Sequence, residues 1–271
     1  MPMKAAGGWF ESFFGGLYGR VLAKTFDPAR TRRQAILIRR LLGLRKGQRV
    51  LDIPCGVGRL TIPLARMGLE MTGVDLTGVF LRRARREARS NGARIRFLQA
   101  DMRRIGFDAE FDAAFNWFTS IGYFTDAEEL DFCRRVLRCL RPGGRFLVET
   151  MNKTWLLPRF VRQVRGKVGD VEISHRNRWD PATSRTADVW TLRRGRTVER
   201  KRISLRLYSG PELRGLLAAA GFRDIRLYGG RSLGGKGRPA TVGRLTRHSP
   251  RVIAVARRPA DGERAQERKG T

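Results

Sequence analysis

The stretch RVLDIPCGVGRL at residues 49–60 predicts a buried strand that runs into a tight turn and then opens a helix. Gly56 and Gly58 lack the Cβ atom that would keep a ligand away from the main chain. The turn also aims free N–H groups and the positive end of the helix dipole at a bound group, which favours an acidic ligand. Asp52, at the carboxyl end of the strand, is placed to hold an ammonium group or to orient the loop. The third glycine of the dinucleotide fingerprint is missing, which argues against a nicotinamide or flavin site.

Three further strand-like runs follow, and each ends in polar residues. They are residues 70–76 (EMTGVDL, with Asp75), 95–102 (IRFLQADM, with Asp101 and Met102) and 111–118 (FDAAFNWF, with Asn116 and Trp117). Asp75 follows the glycines by about 20 residues, the spacing expected of an acid that accepts hydrogen bonds from both ribose hydroxyls. Met102 is apolar and suited to pack on a base. The order of these runs therefore favours a ligand that contains a nucleoside.

In this order the motifs resemble those of the class I S-adenosylmethionine-dependent methyltransferases of the small-molecule type. The resemblance rests on the glycine turn, on GVDL, on QADM and on RPGG at residues 141–144 before the strand-like FLVET. It covers residues 49–150, then resumes at 208–222 (YSGPELRGLLAAAGF) and at the strand-like RVIAVARR. It implies an α/β fold, with a Rossmann-like seven-stranded, mostly parallel sheet and an antiparallel last strand. It also implies S-adenosylmethionine as cofactor and S-adenosylhomocysteine as product.

The resemblance implies which residues contact the cofactor. Gly56 and Gly58 would lie near its methionyl part, Asp75 at the ribose, and Asp101 with Met102 beside the adenine. The complete set of expected cofactor contacts is Tyr18, Asp52, Pro54, Cys55, Gly56, Gly58, Asp75, Leu76, Asp101, Met102, Asn116 and Trp117.

Two positions depart from the family pattern. Pro54 stands where the family usually has glycine, and Val57 where it often has a small hydroxyl residue. Proline disfavours a positive φ, and valine removes one side-chain hydrogen bond to the cofactor, but neither change blocks a site lined by main chain. A lone Asp in such a loop is also a common cap of a turn or helix, and this is the alternative interpretation of Asp52 and of Asp75 taken singly.

A sulfonium cofactor carries its own leaving group, so the protein has mainly to align a nucleophile, exclude water and, where needed, remove a proton. Candidate bases or orienting groups are Glu149 after the fifth strand, Tyr123 in the SIGYF loop, and His175 in the insertion. Each has a structural alternative: a cap or salt-bridge partner, a core aromatic, and an exposed strand residue, respectively. The Asn/Asp-Pro-Pro-aromatic tetrad of enzymes that methylate nucleobase or glutamine amino groups is replaced by NWFT at 116–119.

The chain is expected to divide into five parts: 1–48, an N-terminal lid segment and helix; 49–150, the cofactor-binding α/β core; 151–207, an inserted substrate-covering flap; 208–258, completion of the core sheet; and 259–271, a disordered tail. The insertion alternates apolar and polar residues in three runs, broken at Asp180-Pro181 and Arg194-Gly195, which predicts an antiparallel β meander. The aromatic segment at 9–18 (WFESFFGGLY) would fold over the cofactor as a lid or pack as a satellite cluster.

Two helices have clear local signals. The pattern at 28–44 predicts a helix with these residues on its apolar face: Ala35, Ile36, Ile38, Leu41 and Leu42. The sequence TDAE predicts a capping box for a helix that runs to Leu140, which gives Thr125 and Glu128 structural roles.

The net charge of this 271-residue chain is +31 at pH 7, and its basic residues are 48 Arg and 8 Lys. They are spread through the predicted helices, loops and strands. Because nucleic-acid surfaces usually cluster their charge on one face or in a tail, the spread favours an ordinary solvated surface and a small-molecule substrate. Nucleic acid is the less favoured partner, although nonspecific binding of polyanions at low salt is expected.

The composition, with 41% hydrophobic residues, is that of a globular chain with a sizeable core. It shows no apolar run of membrane-spanning length and no secretory-signal layout at its start, so the expectation is no membrane association and a cytoplasmic location. Cys55, Cys133 and Cys139 are expected to be reduced thiols, and they form no recognisable zinc spacing with the two histidines. The sequence does not specify an oligomeric state.

The sequence thus predicts transfer of a methyl group to an O, N or C nucleophile of a small molecule. Two alternatives stay open. An RNA methyltransferase is favoured only by the charge and would need clustered arginines on the flap that face the cofactor. A module that binds S-adenosylmethionine without turnover would carry the same glycine turn and the same Asp75.

Overall fold

The computed structural model describes residues 8–230 and 241–261. Its helices are α1 Trp9–Phe13, α2 Gly16–Thr25, α3 Pro28–Leu42, α4 Thr61–Arg66, α5 Gly78–Ser90, α6 Asp126–Cys139, α7 Lys153–Leu156 and α8 Gly210–Ala219. Its strands are β1 Arg49–Asp52, β2 Glu70–Asp75, β3 Arg96–Gln99, β4 Phe111–Asn116, β5 Leu140–Met151, β6 Gln163–Val168, β7 Val171–Asp180, β8 Arg185–Arg194, β9 Thr197–Arg206, β10 Arg223–Gly230, β11 Val242–Arg244 and β12 Arg251–Arg257. The predicted tail lies, from residue 262 onward, outside the described residues.

The main sheet has the strand order β11-β10-β12-β5-β4-β1-β2-β3. Strands β1 to β5 pair in parallel, whereas β12 lies antiparallel between β5 and β10. The predicted Rossmann-like sheet with an antiparallel last strand is thus confirmed. The short strand β11 pairs with β10 as an additional edge strand, so the described part of the sheet has eight strands rather than seven. Three residues around a glycine carry too little alternation to be recognised as a strand.

Apolar side chains cover both faces of the sheet and form two clusters. One cluster packs α6 and α8 on the sheet and includes Phe132 and Phe222. The other packs α3 and α4 on the opposite face and includes Ile38 and Leu64. Helices on both faces of a mostly parallel sheet are the usual way in which such a sheet buries its strands.

The buried face of α3 differs from the prediction at one position. Ile38 and Leu42 are buried as expected, but Ile36 is 50% exposed, and Leu37 takes a buried position instead. At 3.6 residues per turn, position 36 lies nearly opposite position 38 on the helix. The prediction for Ile36 was therefore wrong because it followed hydrophobicity rather than helical angle.

The four motif strands end at one edge of the sheet. Asp52 of β1 is in register with Gly73 of β2 and with Phe115 of β4, and Asp75 is in register with Gln99 of β3. Because parallel strands present their carboxyl ends at the same edge, the polar residues that follow each strand are brought together there.

The insertion forms a separate four-stranded antiparallel sheet in the order β6-β7-β8-β9, which we call the flap. The three predicted runs correspond to β7, β8 and β9, and β6 is a fourth strand that the prediction did not include. One face of the flap packs on α2, where Val171 and Leu192 contact Leu17 and Val21. The Nζ of Lys201 donates hydrogen bonds to the last carbonyls of α1 and the loop after it, at 2.8–2.9 Å.

The SIGYF loop between β4 and α6 is held by two buried ionisable side chains, those of Glu129 and Arg185. The carboxylate of Glu129 accepts hydrogen bonds from the main-chain N–H groups of Gly122, at 2.7 Å, and Phe124, at 3.0 Å. The guanidinium of Arg185 donates to the carbonyls of the same loop. The predicted capping box is confirmed, since Thr125 caps α6 and Glu128 bonds back to it.

In the part of the chain that the structure describes, every helix is too short or too polar to cross a membrane. Cys55, Cys133 and Cys139 are buried free thiols, in agreement with the prediction. Burial raises the pKa of each thiol, so all three remain protonated at neutral pH.

Candidate active site

A cavity opens at the carboxyl ends of β1, β2 and β4, between the glycine turn and the N-terminal helices. Its empty volume is about 1010 Å³, and part of this volume is open to bulk solvent. Its lining residues are Phe10, Phe14, Leu22, Phe26, Asp52, Pro54, Cys55, Gly56, Val57, Arg59, Leu60, Val74, Asp75, Leu76, Thr77, Phe80, Ala100, Asp101, Met102, Trp117, Phe118, Ser120, Tyr123 and Phe124. The lining includes three carboxylates, the main chain of the glycine turn and eight aromatic side chains.

The glycine turn is held in shape by Asp75. One carboxylate oxygen of Asp75 accepts a hydrogen bond from the N–H of Gly56 at 2.7 Å, and the other accepts one from the N–H of Thr77 at 2.8 Å. Gly56 has φ +56°, and a Cβ built on it would have no atom within 4 Å. The absence of a side chain therefore leaves room beside the main chain, as a backbone-bound ligand needs.

Asp52 lies at the base of this turn with almost no exposure. Its carboxylate accepts a hydrogen bond at 2.6 Å from the hydroxyl of Thr61, the first residue of α4. Burial raises the pKa of Asp52 to about 8, although the Thr61 hydrogen bond and the charge of Arg59 oppose the shift. The carboxylate orients the turn, and no cation among the described residues forms an ion pair with it, so it is suited to accept a ligand ammonium group.

Arg59 was not among the predicted site residues. Its guanidinium lies 4.3 Å from the ring centroid of Phe26 and bonds to Gln34 and Thr31. Burial lowers the pKa of Arg59 to about 10, so it stays charged at neutral pH. The sequence shows a basic residue after the glycine turn. That its side chain points into the cavity depends on Gln34 and Phe26, which belong to distant segments of the chain.

Asp101 and Met102 lie at the far end of the cavity. The Asp101 carboxylate accepts hydrogen bonds from the main chain and the guanidinium of Arg103, at 2.7–3.2 Å. Burial alone would raise the pKa of Asp101, but the bonds from Arg103 outweigh it and the pKa lies below its usual value. Met102 is buried beside this carboxylate. An ionised acceptor next to an apolar side chain suits the edge and the face of an adenine.

The aromatic half of the cavity comes from α1, the loop after it and the SIGYF loop. The ring centroid of Tyr123 lies 6.3 Å from that of Phe10 and 6.1 Å from that of Phe14. The ring of Phe124 packs edge to face on Phe10, with their centroids 5.1 Å apart. Burial raises the pKa of Tyr123 well above its usual value, so its phenol is protonated at neutral pH. The segment at 9–18 therefore lines the cavity with some of its rings and packs in the core with others, such as Trp9.

The predicted site residues fall into two groups. Those that line the cavity are Asp52, Pro54, Cys55, Gly56, Asp75, Leu76, Asp101, Met102, Trp117 and Tyr123. Those that are not part of its lining are Tyr18, Gly58, Asn116, Glu149 and His175. The structure thus brings most of the expected cofactor contacts together with one of the three candidate catalytic groups.

Three of the residues outside the lining support the fold nearby. The ring of Tyr18 packs against Phe13 at 4.3 Å. A Cβ on Gly58 would meet α4 and α5 side chains at 3.2–3.4 Å. The amide of Asn116 donates at 2.9 Å to the carbonyl of Ile53 and so ties β4 to the end of β1.

The other two are the remaining catalytic candidates. Glu149 is 0% exposed, pairs with the guanidinium of Arg251 and accepts a hydrogen bond at 2.8 Å from the N–H of Phe118. His175 lies in the flap, where its ring stacks on Trp190 at 4.4 Å and bonds to Asn177. Glu149 therefore contacts the cavity lining at the N–H of Phe118, and His175 stacks on Trp190, which is not part of the lining.

Comparison with known proteins agrees with the fold. Residues 50–144 match the protein family described as Methyltransferase domain. The putative methyltransferase YqeM of Bacillus subtilis is 40% identical over 103 residues, which cover 37% of this chain and 41% of that protein. The chain spans about half the length, or less, of the curated relatives that it matches.

Solved structures share the fold over most of the chain. An S-adenosylmethionine-dependent methyltransferase from Clostridium acetobutylicum has a TM-score of 0.69 at 16% identity and covers 93% of this chain and 100% of its own. The CcbJ methyltransferase of Streptomyces caelestis has a TM-score of 0.68 at 21% identity, covering 85% and 90%. The sugar N-methyltransferase KedS8 of a Streptoalloteichus species has a TM-score of 0.57 at 20% identity, covering 90% and 92%.

Proposed function

We propose, from the membership of this chain in the class I S-adenosylmethionine-dependent methyltransferases, that it transfers the methyl group of that cofactor to an O, N or C nucleophile of a small molecule. The observation that carries the proposal is the cavity, in which a glycine turn and three carboxylates adjoin an aromatic pocket. The likeness to a sugar methyltransferase is one of fold, so the acceptor class rests on the cavity.

The residues present fit the cofactor. The open main chain at Gly56 and the buried carboxylate of Asp52 would hold the methionyl part, with its carboxylate and ammonium groups. Asp75 would hold the ribose, and Asp101 with Met102 the adenine. S-adenosylmethionine supplies an electrophilic methyl group on a sulfonium that is its own leaving group.

The chain's own contribution is to bind, align and exclude water. Phe10, Phe14, Phe118 and Phe124 wall the acceptor half and keep water out, which strengthens the electrostatic interactions inside. The protonated phenol of Tyr123 would orient the acceptor as a hydrogen-bond donor rather than take its proton. No histidine is among the described residues that line the cavity, so an acceptor that is already nucleophilic at neutral pH, such as a weakly basic amine, fits this pocket best.

The two alternatives receive less support from the structure. Six exposed arginines of the flap lie on the face opposite the one that packs on α2, so these six do not form a path for RNA toward the cofactor. A module that only binds the cofactor would have no use for an aromatic pocket beside it.

The test is transfer of labelled methyl from S-adenosylmethionine into a cell extract, with products separated into small molecules, RNA and protein. Label in the small-molecule fraction, absent with the variant Asp75→Ala, is the expected result. Label that disappears after ribonuclease treatment would replace the proposal with RNA methylation, and cofactor binding without any label in a range of extracts would favour the binding module.

The affinity for S-adenosylhomocysteine should rise with pH because of Asp52. A ligand ammonium favours the ionised carboxylate, so binding lowers the pKa of Asp52 from about 8 and releases a proton below that pH. We expect up to about a tenfold gain in affinity per pH unit between roughly pH 6 and 7.5. Titration calorimetry in buffers of different protonation enthalpy measures the released proton.

The matched variant is Asp52→Asn, which keeps the shape of the side chain and cannot titrate. Its affinity should be lower and flat across the same range. A wild-type protein that binds with no proton release would show that Asp52 serves only to hold Thr61.

A further inference from the structure

The flap carries a row of arginines on the face that points away from α1 and α2. Side chains alternate between the two faces of a strand, and the packed face includes Trp190, Leu192 and Lys201. The opposite face carries six exposed arginines, which we call the arginine face: Arg165, Arg176, Arg178, Arg193, Arg200 and Arg202. They come from all four strands of the flap.

The strand register arranges these side chains in rows. One row across the sheet runs Arg165, Ser174, Thr191, Arg200, and the next runs Gln163, Arg176, Val189, Arg202. Neighbouring strands lie about 4.8 Å apart, and same-face residues along a strand about 6.7 Å apart, so each row spans roughly 14 Å. The face is therefore a regular grid of cations with hydroxyl groups between them.

The charges of this grid are not neutralised. Arginines elsewhere, such as Arg49, Arg103 and Arg141, pair with carboxylates. Within the described ranges, none of the six arginines on the arginine face forms such a pair, and the one acidic residue that lines the cleft between them is Glu172. An unneutralised array of this kind attracts a polyanion.

The surrounding side chains indicate which polyanion fits. A docked protein would need an apolar or aromatic centre, whereas the large apolar side chains exposed here are Val189 and Val198, at 41% and 43%. Guanidinium groups bind phosphate through paired hydrogen bonds, and the hydroxyls of Ser174 and Thr191 are further donors to phosphate oxygens. The described residues of the face include no aromatic ring, so it lacks the usual stacking platform for bases.

We propose that the arginine face binds the phosphate backbone of a nucleic acid without reading its bases, at a site separate from methyl transfer. The face lies on the side of the flap turned away from the segment that covers the cavity. The bound nucleic acid is therefore a docking partner and not the methyl acceptor.

The test compares two triple variants that remove the same charge. Arg176→Ala/Arg200→Ala/Arg202→Ala removes half of the arginine face, and Arg82→Ala/Arg86→Ala/Arg89→Ala removes three exposed arginines of α5. Binding of labelled polyuridylate and of a short DNA duplex is measured by anisotropy over a series of salt concentrations. Unchanged affinity for S-adenosylhomocysteine shows that each variant is folded.

The flap variant should bind nucleic acid at least about tenfold more weakly than wild type at moderate salt. The magnitude of the slope of log K against log salt concentration should decrease by about 2 for the single strand or about 2.7 for the duplex. The α5 variant should stay close to wild type. The polymer with the larger change identifies the form of nucleic acid bound. Equal losses in both variants would overturn the proposal in favour of diffuse charge, and equally tight, flap-dependent binding of polyglutamate would overturn it in favour of an acidic protein. Neither result depends on methyl transfer.

Discussion

Replacing Asp75 with alanine is expected to lower the affinity for S-adenosylhomocysteine by about 100-fold or more, which corresponds to about 2.7 kcal/mol. The substitution leaves the N–H groups of Gly56 and Thr77 without their acceptor, and each such loss costs about 1–3 kcal/mol. It also removes the acceptor proposed for the ribose. Titration calorimetry measures the change directly, and methyl transfer should fall with it.

Two companion variants separate the roles of Asp75. Asp75→Asn retains one acceptor oxygen but presents an amide N–H₂ to the second main-chain donor, so its affinity should lie between those of wild type and Asp75→Ala. Asp131→Ala removes an exposed helix carboxylate that pairs with Arg135 and should bind as wild type does. An unchanged affinity in Asp75→Ala would remove this residue from the site.

Replacing Arg251 with methionine is expected to lower the free energy of unfolding by about 3–5 kcal/mol, because it leaves a buried carboxylate without its cation. Glu149 is fully buried, and Arg251 pairs with it while also donating to the hydroxyl of Thr119 at 2.7 Å. For a chain of this size the melting temperature should fall on the order of 10 °C. Denaturant unfolding with a constant m-value gives the energy.

The double variant Arg251→Met/Glu149→Leu should recover part of that loss, since apolar replacements of similar volume commonly substitute for a buried pair, although the N–H of Phe118 loses its acceptor. The control Arg135→Met breaks the half-exposed pair with Asp131 and should cost no more than about 0.5 kcal/mol. If Arg251→Met and the control proved equally stable, Glu149 would not depend on Arg251. Loss of methyl transfer in Glu149→Gln, with stability retained, would instead return Glu149 to the list of catalytic candidates.

The sequence predicted those parts of the molecule that depend on local pattern. The turn at Gly56, the acid that ends β2, the acid that follows β3 and the cap at Thr125 are each specified within a few neighbouring residues, and the main sheet follows from their order. Periodicity likewise placed three of the four flap strands. These features need only short-range chemistry to be recognised.

The sequence could not predict which side chains meet across long separations. Glu149 was a candidate base until Arg251, about a hundred residues later, proved to lie against it. Arg59 gained a place in the cavity through Gln34 and Phe26. Tertiary packing sets such pairings, so neither secondary-structure propensity nor motif spacing predicts them.

None of the described residues that line the cavity comes from the flap. Its walls come instead from the aromatic segment near the N-terminus and from the stretch around Trp117 to Phe124. An engineer who exchanged residues 151–207 with those of a relative but kept Arg185 and Lys201, which hold the two aromatic stretches, would therefore obtain a chimera with its acceptor preference largely intact. Transplanting the two aromatic stretches together would transfer the acceptor preference to the recipient protein. New substrate specificities can therefore evolve in these stretches while the sequence of the inserted sheet diverges independently.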